Sequence, residues 1–336
     1  MKQERPILIV TSCTRNYGWV TGAFLEDNTR WADYIVIVDQ MSTDATRPLI
    51  NEYNEKRGDG IHRAKIVIVD DADMSYKENT RAKMAFMKGR ELAAGRDAIF
   101  FALDIDEMLS ANWQGTEDGQ KILTSKPGDM FQLEWANIMP DGRNFKRSGW
   151  QYKVFHDNGM EWQECDIQIH TPLLPYSSWD ENKVYYVHDF PMLHFGVYHE
   201  RWNQYKQVYY QFVDILQHRS KSVISLYRKY HYVEENDVKP LLISQEWLFK
   251  DVDIIGLVDR ISTPIFVDYI KDIIAVKGVD KFQPLDVWSD ELCQLLGIDD
   301  PRSKKWKMLH RYLKFTQSNY KFILWRTIDK VLKQLC

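Results

Sequence analysis

Short apolar runs alternate with amphipathic stretches over the N-terminal part of the chain. Four runs have the length and the composition of buried strands: Pro6–Thr11, Tyr34–Val38, Lys65–Val69 and Ile99–Leu103. The segments between them favour helices, most clearly over residues 20–32 and 78–94. Strands that alternate with helices at this spacing predict an α/β fold, with a mostly parallel sheet and helices on both faces.

Polar side chains stand at the end of each predicted strand. They are Thr11, Asp39, Asp71 and Asp104. Sheets of this class bind ligands at the carboxyl ends of their strands. The pattern therefore predicts a single binding site at that edge of the sheet.

The last of these strands runs into an acidic group made by Asp104, Asp106 and Glu107. Carboxylates spaced two residues apart at the end of a strand can turn toward one divalent cation. Hard oxygen ligands that leave coordination positions open suit Mg²⁺ or Mn²⁺ carrying phosphate oxygens. The alternative interpretation is a solvated acidic turn.

The segment after the second strand, DQMSTDAT, is typical of a loop that leads into a helix. Ser42 and Thr43 are predicted helix N-caps, and Asp44 is favourable in the first helical turn. Beyond the acidic group, the pattern predicts a strand at Met130–Ala136 and a hairpin over residues 142–157.

Four motifs in this order resemble the nucleotide-sugar half of family 2 glycosyltransferases, which have the Rossmann-like GT-A fold. The motifs are TSCTRN after the first strand, YIVIVDQMSTDAT, the helix ENTRAKMAFMKGRE and the strand end IFFALDIDEML. The resemblance covers residues 5–110 well and weakens toward residue 215. It departs from the family at Gln40 and Met41, which puts the shape of the turn after Asp39 in question.

The resemblance implies roles for four residues around the nucleotide. Thr11 and Arg15 would line the nucleotide pocket. Asp39 would accept hydrogen bonds from the base or the ribose, and Arg81 would approach the base or the diphosphate. The alternatives are a helix cap for Asp39 and a solvated helix face for Arg81.

The family resemblance also implies a metal site that holds Mn²⁺ or Mg²⁺. Asp104 would contact the ribose or the metal, and Asp106 would hold the metal that bridges the diphosphate. His194, in the segment MLHFGVYHERW, matches a histidine that adds a metal contact in several GT-A families. A structural role for this histidine is the alternative.

An inverting transferase needs a general base that deprotonates the acceptor hydroxyl. Many bacterial members of the family have Val-His-Glu in the acceptor half, whereas this chain has the sequence IHT at residues 169–171. Asp166 and Glu164 are the nearest candidates for the base, with Glu161 third. A retaining mechanism, which needs no such base, stays open.

The chain is predicted to have a catalytic domain over residues 1–215, with its donor half at 5–110 and its acceptor half at 111–215. A helical region follows over residues 216–336. Its last segment, 302–336, is basic and aromatic. Such a segment fits contact with an anionic membrane surface, and packing against the catalytic domain is the alternative.

Net charge, the N-terminal sequence and the cysteine spacing limit which partners and which cellular location we expect. The formal net charge of −4 gives no reason to expect a nucleic acid. The N-terminus lacks the apolar core of a signal peptide, and no stretch approaches ~20 apolar residues. The four cysteines form no CxxC pair, which favours a reducing compartment. The interpretation is a cytoplasmic protein, with peripheral attachment at the inner face of a membrane as an extension.

The sequence therefore predicts a metal-dependent glycosyltransferase. It would move a sugar from a nucleotide diphosphate donor, most simply UDP-linked, to a hydroxyl of a glycan or a lipid-linked glycan, with inversion. Three alternatives stay open. A haloacid-dehalogenase-like phosphohydrolase would use Asp104 as its nucleophile, a nucleotidyltransferase would use a related sheet, and a sugar-binding module would have no activity.

Overall fold

A computed structural model describes residues 5–73, 77–164, 172–175, 183–217, 222–231, 239–250, 252, 257 and 265–335. The chain divides into two compact units. The first comprises Met1–His199 with Val238–Ile261, and the second comprises Glu200–Asp237 with Ser262–Cys336. The functional boundary proposed at residue 215 stays a prediction.

The first unit begins with the predicted alternation of strands and helices. The strands are β1 (Ile7–Thr14), β2 (Tyr34–Asp39), β3 (Lys65–Asp70) and β4 (Ala98–Ala102). The helices are α1 (Gly18–Asn28), α2 (Thr46–Lys56) and α3 (Glu78–Ala93). All three strand pairs in this part are parallel, with β1 between β2 and β4.

Alternate side chains of these strands point into two separate cores. Leu8 and Val10 of β1 belong to the core that includes side chains of α1 and α2. Ile7 and Ile9 belong to the core that includes Phe86 of α3. Because successive side chains of a strand face opposite sides of a sheet, the helices cover both faces. The predicted α/β class is confirmed.

The rest of the first unit extends the sheet with mostly antiparallel strands. The further elements are β5 (Glu107–Leu109), α4 (Glu117–Leu123), β6 (Met130–Ile138), β7 (Asn144–His156), β8 (Val184–His194) and β9 (Leu241–Leu242). The strand order is β3-β2-β1-β4-β7-β6-β8-β5, and β9 pairs with β7. The sheet is therefore mixed rather than purely parallel. The predicted hairpin over residues 142–157 was wrong, because β7 is a single strand that pairs with β6.

The second unit is helical, as predicted for the C-terminal region. Its helices are α5 (Glu200–Leu216), α6 (Val223–Tyr230), α7 (Ile265–Lys277), α8 (Asp290–Leu296), α9 (Lys304–Thr316) and α10 (Ile323–Leu335). Arg228 of α6 joins α10 by an ion pair with Asp329 (3.1 Å), and both side chains are buried. Within the described residues, no helix combines the length and the apolar character needed to cross a bilayer.

Candidate functional site

The ends of the parallel strands lie side by side. Thr14 is in register with Asp39 of β2, and Asp39 is in register with Asp70 of β3. Thr11 lies further back in β1, where it is buried opposite the last residue of β4. Its carbonyl oxygen accepts from the Leu103 amide (3.1 Å) just before the acidic group. The predicted polar residues thus meet near one edge of the sheet.

Two loops at this edge are tied together by side chains of the β2–α2 segment. The Asn16 amide donates to Ser42 Oγ (2.8 Å), and the Gly18 amide donates to Asp44 Oδ2 (2.8 Å). A side chain at Gly18 would place its Cβ 2.9 Å from that carboxylate oxygen, so the close approach requires glycine. The predicted N-caps at Ser42 and Thr43 were wrong, since α2 begins at Thr46 and these residues hold the neighbouring loop instead.

Asp39 is fully buried at the base of these loops. Its carboxylate accepts from the Ser42 amide (3.1 Å) and from the Arg47 guanidinium. Arg47 also binds Asp70, so one cation joins the ends of β2 and β3. The helix cap considered for Asp39 is replaced by a network of loop hydrogen bonds and ion pairs. No local sequence pattern indicated that Arg47 belongs to this network.

Arg81 of α3 is buried, which excludes the solvated helix face. Its Nε donates to Asp71 Oδ2 (2.7 Å), and its Nη2 donates to the carbonyl oxygen of Asp73 (2.7 Å). The same carbonyl accepts from Gln40 Nε2 (2.7 Å). Arg81 therefore fixes the loop after β3 against the loop after β2, while Arg15 is half-buried in the β1–α1 loop.

A buried lysine organises the acidic group. Lys153 Nζ donates to Glu107 Oε2 (2.6 Å) and to Asp104 Oδ2 (3.2 Å). Glu107 is fully buried and also accepts from Trp135 Nε1 (2.6 Å) and from the Asp104 amide (2.8 Å). Three donors meet one carboxyl, which is the pattern of an ionised carboxylate.

Burial and the neighbouring charges have opposing effects on the pKa values of Glu107 and Lys153. Burial and the neighbouring Asp104 together raise the pKa of the Glu107 carboxyl above its usual value, against the opposing effect of Lys153. Burial alone would lower the pKa of the Lys153 ammonium, but Asp104 and Glu107 outweigh that effect and raise it. Lys153 is therefore a fixed positive charge at the end of β4.

Asp106 and His194 form the second part of the site. Glu107 of β5 is in register with His194 of β8, which brings the strands together at this point. His194 Nε2 lies 4.0 Å from Asp106 Oδ2, and both side chains are almost fully buried. His194 Nδ1 bonds Asn137 Oδ1 (2.6 Å), and the ring stacks on Trp135 with 4.5 Å between centroids.

The Asn137 contact selects the histidine tautomer. Since an amide oxygen only accepts, the proton of the neutral ring lies on Nδ1 and the lone pair on Nε2, the atom closest to Asp106. Such a partner on the second nitrogen is typical of metal-binding histidines.

The Asp106–His194 pair fits a divalent cation. With ligand distances of ~2.1 Å, one ion can touch atoms up to about 4.2 Å apart, and the observed separation is 4.0 Å. A carboxylate oxygen and an imidazole nitrogen suit Mn²⁺ at least as well as Mg²⁺. The described part of the chain contains no group of three or more such ligands, so the remaining positions would fall to substrate and water.

Two of the three candidates for the general base, Glu161 and Glu164, lie within the described residues, and both are exposed. Glu164 is 80% exposed and accepts from Lys83 Nζ of α3 at 2.7 Å. That hydrogen bond holds the pKa of the Glu164 carboxyl below its usual value. Asp166 lies outside the described residues.

Sequence reasoning missed three residues that complete the site. They are Trp135, Asn137 and Lys153. All three lie on β6 or β7, and they reach Glu107 or His194 through strand pairing over long separations in sequence. Their only local signal is a polar or aromatic residue at one position of an extended run, which is common in any strand.

Comparison with known proteins leaves the family unassigned. No protein-family profile matches the sequence, and no curated protein matches it. Among solved structures, the protein TarS of S. aureus in complex with UDP is 12% identical. That match covers 98% of this chain and 92% of the TarS chain in that structure, residues 1–349, with a TM-score of 0.38.

Two further solved structures show similarly low values. The mannosyltransferase PcManGT from Pyrobaculum calidifontis, in complex with GDP-Man and Mn²⁺, is 14% identical over 46% of this chain, with a TM-score of 0.30. This chain covers only 45% of that protein's length. A glycosyltransferase involved in glycosylation of the major capsid of PBCV-1 is 12% identical over 56% of this chain and 93% of its own, with a TM-score of 0.28.

Proposed function

We propose that the chain is a metal-dependent glycosyltransferase that moves a sugar from a nucleotide diphosphate donor to a hydroxyl of a glycan or lipid-linked glycan. The observation that supports it most is the buried Asp106–His194 pair, 4.0 Å apart, beside the acidic group at the end of β4. Asp39 and Arg81, two of the positions that the family resemblance assigns to nucleotide binding, are buried at the same edge of the sheet.

Four side chains at this edge of the sheet would have separate roles in the transfer reaction. Asp106 and His194 would hold the cation, which supplies positive charge for the leaving diphosphate when bound. Lys153 offsets one of the negative charges of Asp104 and Glu107, which lessens the repulsion between the acidic group and a diphosphate. Asp104 remains 41% exposed, which leaves its carboxylate accessible to a ribose hydroxyl or to the cation.

Inversion would require Asp166 or Glu164 as the base. If one of them takes the acceptor proton, its replacement by the amide should lower kcat about 10²- to 10⁴-fold with little change in nucleotide affinity. Asp166→Asn, Glu164→Gln and Glu161→Gln should be compared by steady-state transfer assays, with Glu55→Gln, at an exposed position of α2, as the matched control. Equal activity of all three variants would contradict a base in this segment and favour retention.

The proposed function is tested first by isothermal titration of the whole chain with UDP, GDP and CMP, each with and without Mn²⁺. We expect one nucleoside diphosphate to bind only when Mn²⁺ is present, which would also identify the donor base. CMP tests whether a diphosphate is required. If none of the nucleotides binds under either condition, the proposal is wrong.

Gly196 offers a separate test of the cation site. A Cβ built there lies 2.4 Å from His194 Nε2 and 3.3 Å from Asp106 Oδ2, so Gly196→Ala must displace the imidazole. We expect Mn²⁺ affinity to fall about 10- to 100-fold, as for other changes that misplace metal ligands. Gly149→Ala is the control, because its Cβ meets no atom within 4 Å. Unchanged Mn²⁺ affinity in Gly196→Ala would remove His194 from the ligand set.

A further inference from the structure

The hairpin formed by α9 and α10 exposes large apolar side chains. Leu309 and Leu313 of α9 are buried, so the apolar residues on its other side lie outside the core. The exposed group has relative exposures from 51% to 77% and consists of Met308, Phe315, Phe322, Ile323, Leu324 and Val331. Scattered exposed apolar residues are ordinary, but a cluster of this size marks an interaction surface.

Four members of this cluster lie around the turn between the helices. Phe315 is in the last turn of α9, while Phe322, Ile323 and Leu324 stand at the start of α10. The Phe315 ring also lies 6.2 Å from that of Trp325, centroid to centroid. The turn is therefore flanked by exposed apolar side chains from both helices, and we call this group the apolar tip.

The same hairpin carries a strong positive charge. Residues 302–336 contain ten Lys and Arg but only one acidic residue, Asp329, whereas the whole chain has a net charge of −4. Asp329 is buried in its pair with Arg228, so it does not offset the outer surface. Lys314, Lys321 and Arg326 lie next to the apolar tip in sequence and are exposed.

We propose that the α9–α10 hairpin is a docking surface for an anionic lipid bilayer. The apolar tip would enter the boundary between headgroups and acyl chains, while the flanking cations contact the anionic headgroups. A protein partner would have to match both a positive surface and an apolar tip, whereas an anionic bilayer matches both by its ordinary composition. This inference goes beyond the proposed function and does not depend on it.

The test is co-sedimentation of the full chain with vesicles of phosphatidylcholine alone and of phosphatidylcholine mixed with phosphatidylglycerol. We expect binding only to the anionic vesicles, and weaker binding as salt rises. Since each cation near an anionic surface strengthens binding about fivefold, the combined variant Lys314→Gln, Lys321→Gln and Arg326→Gln should weaken it about 100-fold. The combined variant Phe322→Ser, Ile323→Ser and Leu324→Ser should abolish the binding that persists at high salt.

The matched control is Lys65→Gln, Lys126→Gln and Lys146→Gln, three exposed lysines of the first unit that make no ion pair with any described residue. It should bind vesicles like the parent chain. Far-UV circular dichroism and thermal unfolding of every variant show whether it is folded, so the test needs no nucleotide binding and its failure is distinct from a failure of the proposed function. Absence of binding to anionic vesicles at low salt would overturn the proposal. So would a dimer in sedimentation velocity that the apolar variant converts to a monomer, because the tip would then be covered by a second copy.

Discussion

Asp106→Asn should lower sugar transfer at least about 1,000-fold and remove the Mn²⁺ dependence of nucleotide binding. The amide keeps the size of the side chain but loses the negative charge that a cation requires. A metal ion contributes several kcal/mol to stabilising a leaving diphosphate, and about 4 kcal/mol corresponds to a thousandfold in rate. Transfer assays with UDP-sugars and Mn²⁺ titrations measure the two effects.

Asp299→Asn is the matched control for this change, because Asp299 is exposed and lies in the second unit. It should leave both transfer and Mn²⁺ binding unchanged. Thermal unfolding of Asp106→Asn separates a lost ligand from a lost fold, since Asp106 is buried. A folded Asp106→Asn variant with normal metal-dependent transfer would exclude Asp106 from the site.

Lys153→Met should lower the free energy of unfolding by about 3–5 kcal/mol. The change removes the ammonium that lies 2.6 Å from the fully buried Glu107 carboxylate. An uncompensated buried charge is far more costly than the loss of the ion pair itself. Urea denaturation followed by tryptophan fluorescence measures the difference, and Lys146→Met, at an exposed position of the same strand, should change stability by less than about 0.5 kcal/mol.

A second substitution at Glu107 tests the reason for this loss. Adding Glu107→Gln to Lys153→Met removes the buried charge, so the double variant should recover most of the lost stability. Replacing both partners of a buried pair by neutral groups is often nearly neutral. If the double variant is as unstable as Lys153→Met, packing around the lysine stem rather than charge accounts for the effect.

Much of the fold follows from local pattern. The runs at β1, β2 and β4 are apolar along nearly their whole length, which fits strands covered on both faces, and the segments between the four runs match three helices. Asp104 and Asp106 were identifiable because carboxylates directly after a buried strand lie at its carboxyl end in any parallel sheet. The predicted N-caps at Ser42 and Thr43 were wrong because local pattern shows only that a hydroxyl can cap a helix. In the fold, both residues bond to Asn16 of the neighbouring loop instead.

The sequence by itself determined the α/β alternation, the edge of the sheet at which the candidate site lies and the acidic residues at the end of β4. Only the tertiary structure decided that Lys153 neutralises Glu107 and that His194 faces Asp106. These contacts depend on how β6, β7 and β8 pair with their neighbours, and the paired residues lie tens of positions apart in the sequence. A shift of one residue in that register would turn each of these side chains to the opposite face of the sheet. Register is set by the packing of the whole sheet, which no local stretch of sequence encodes.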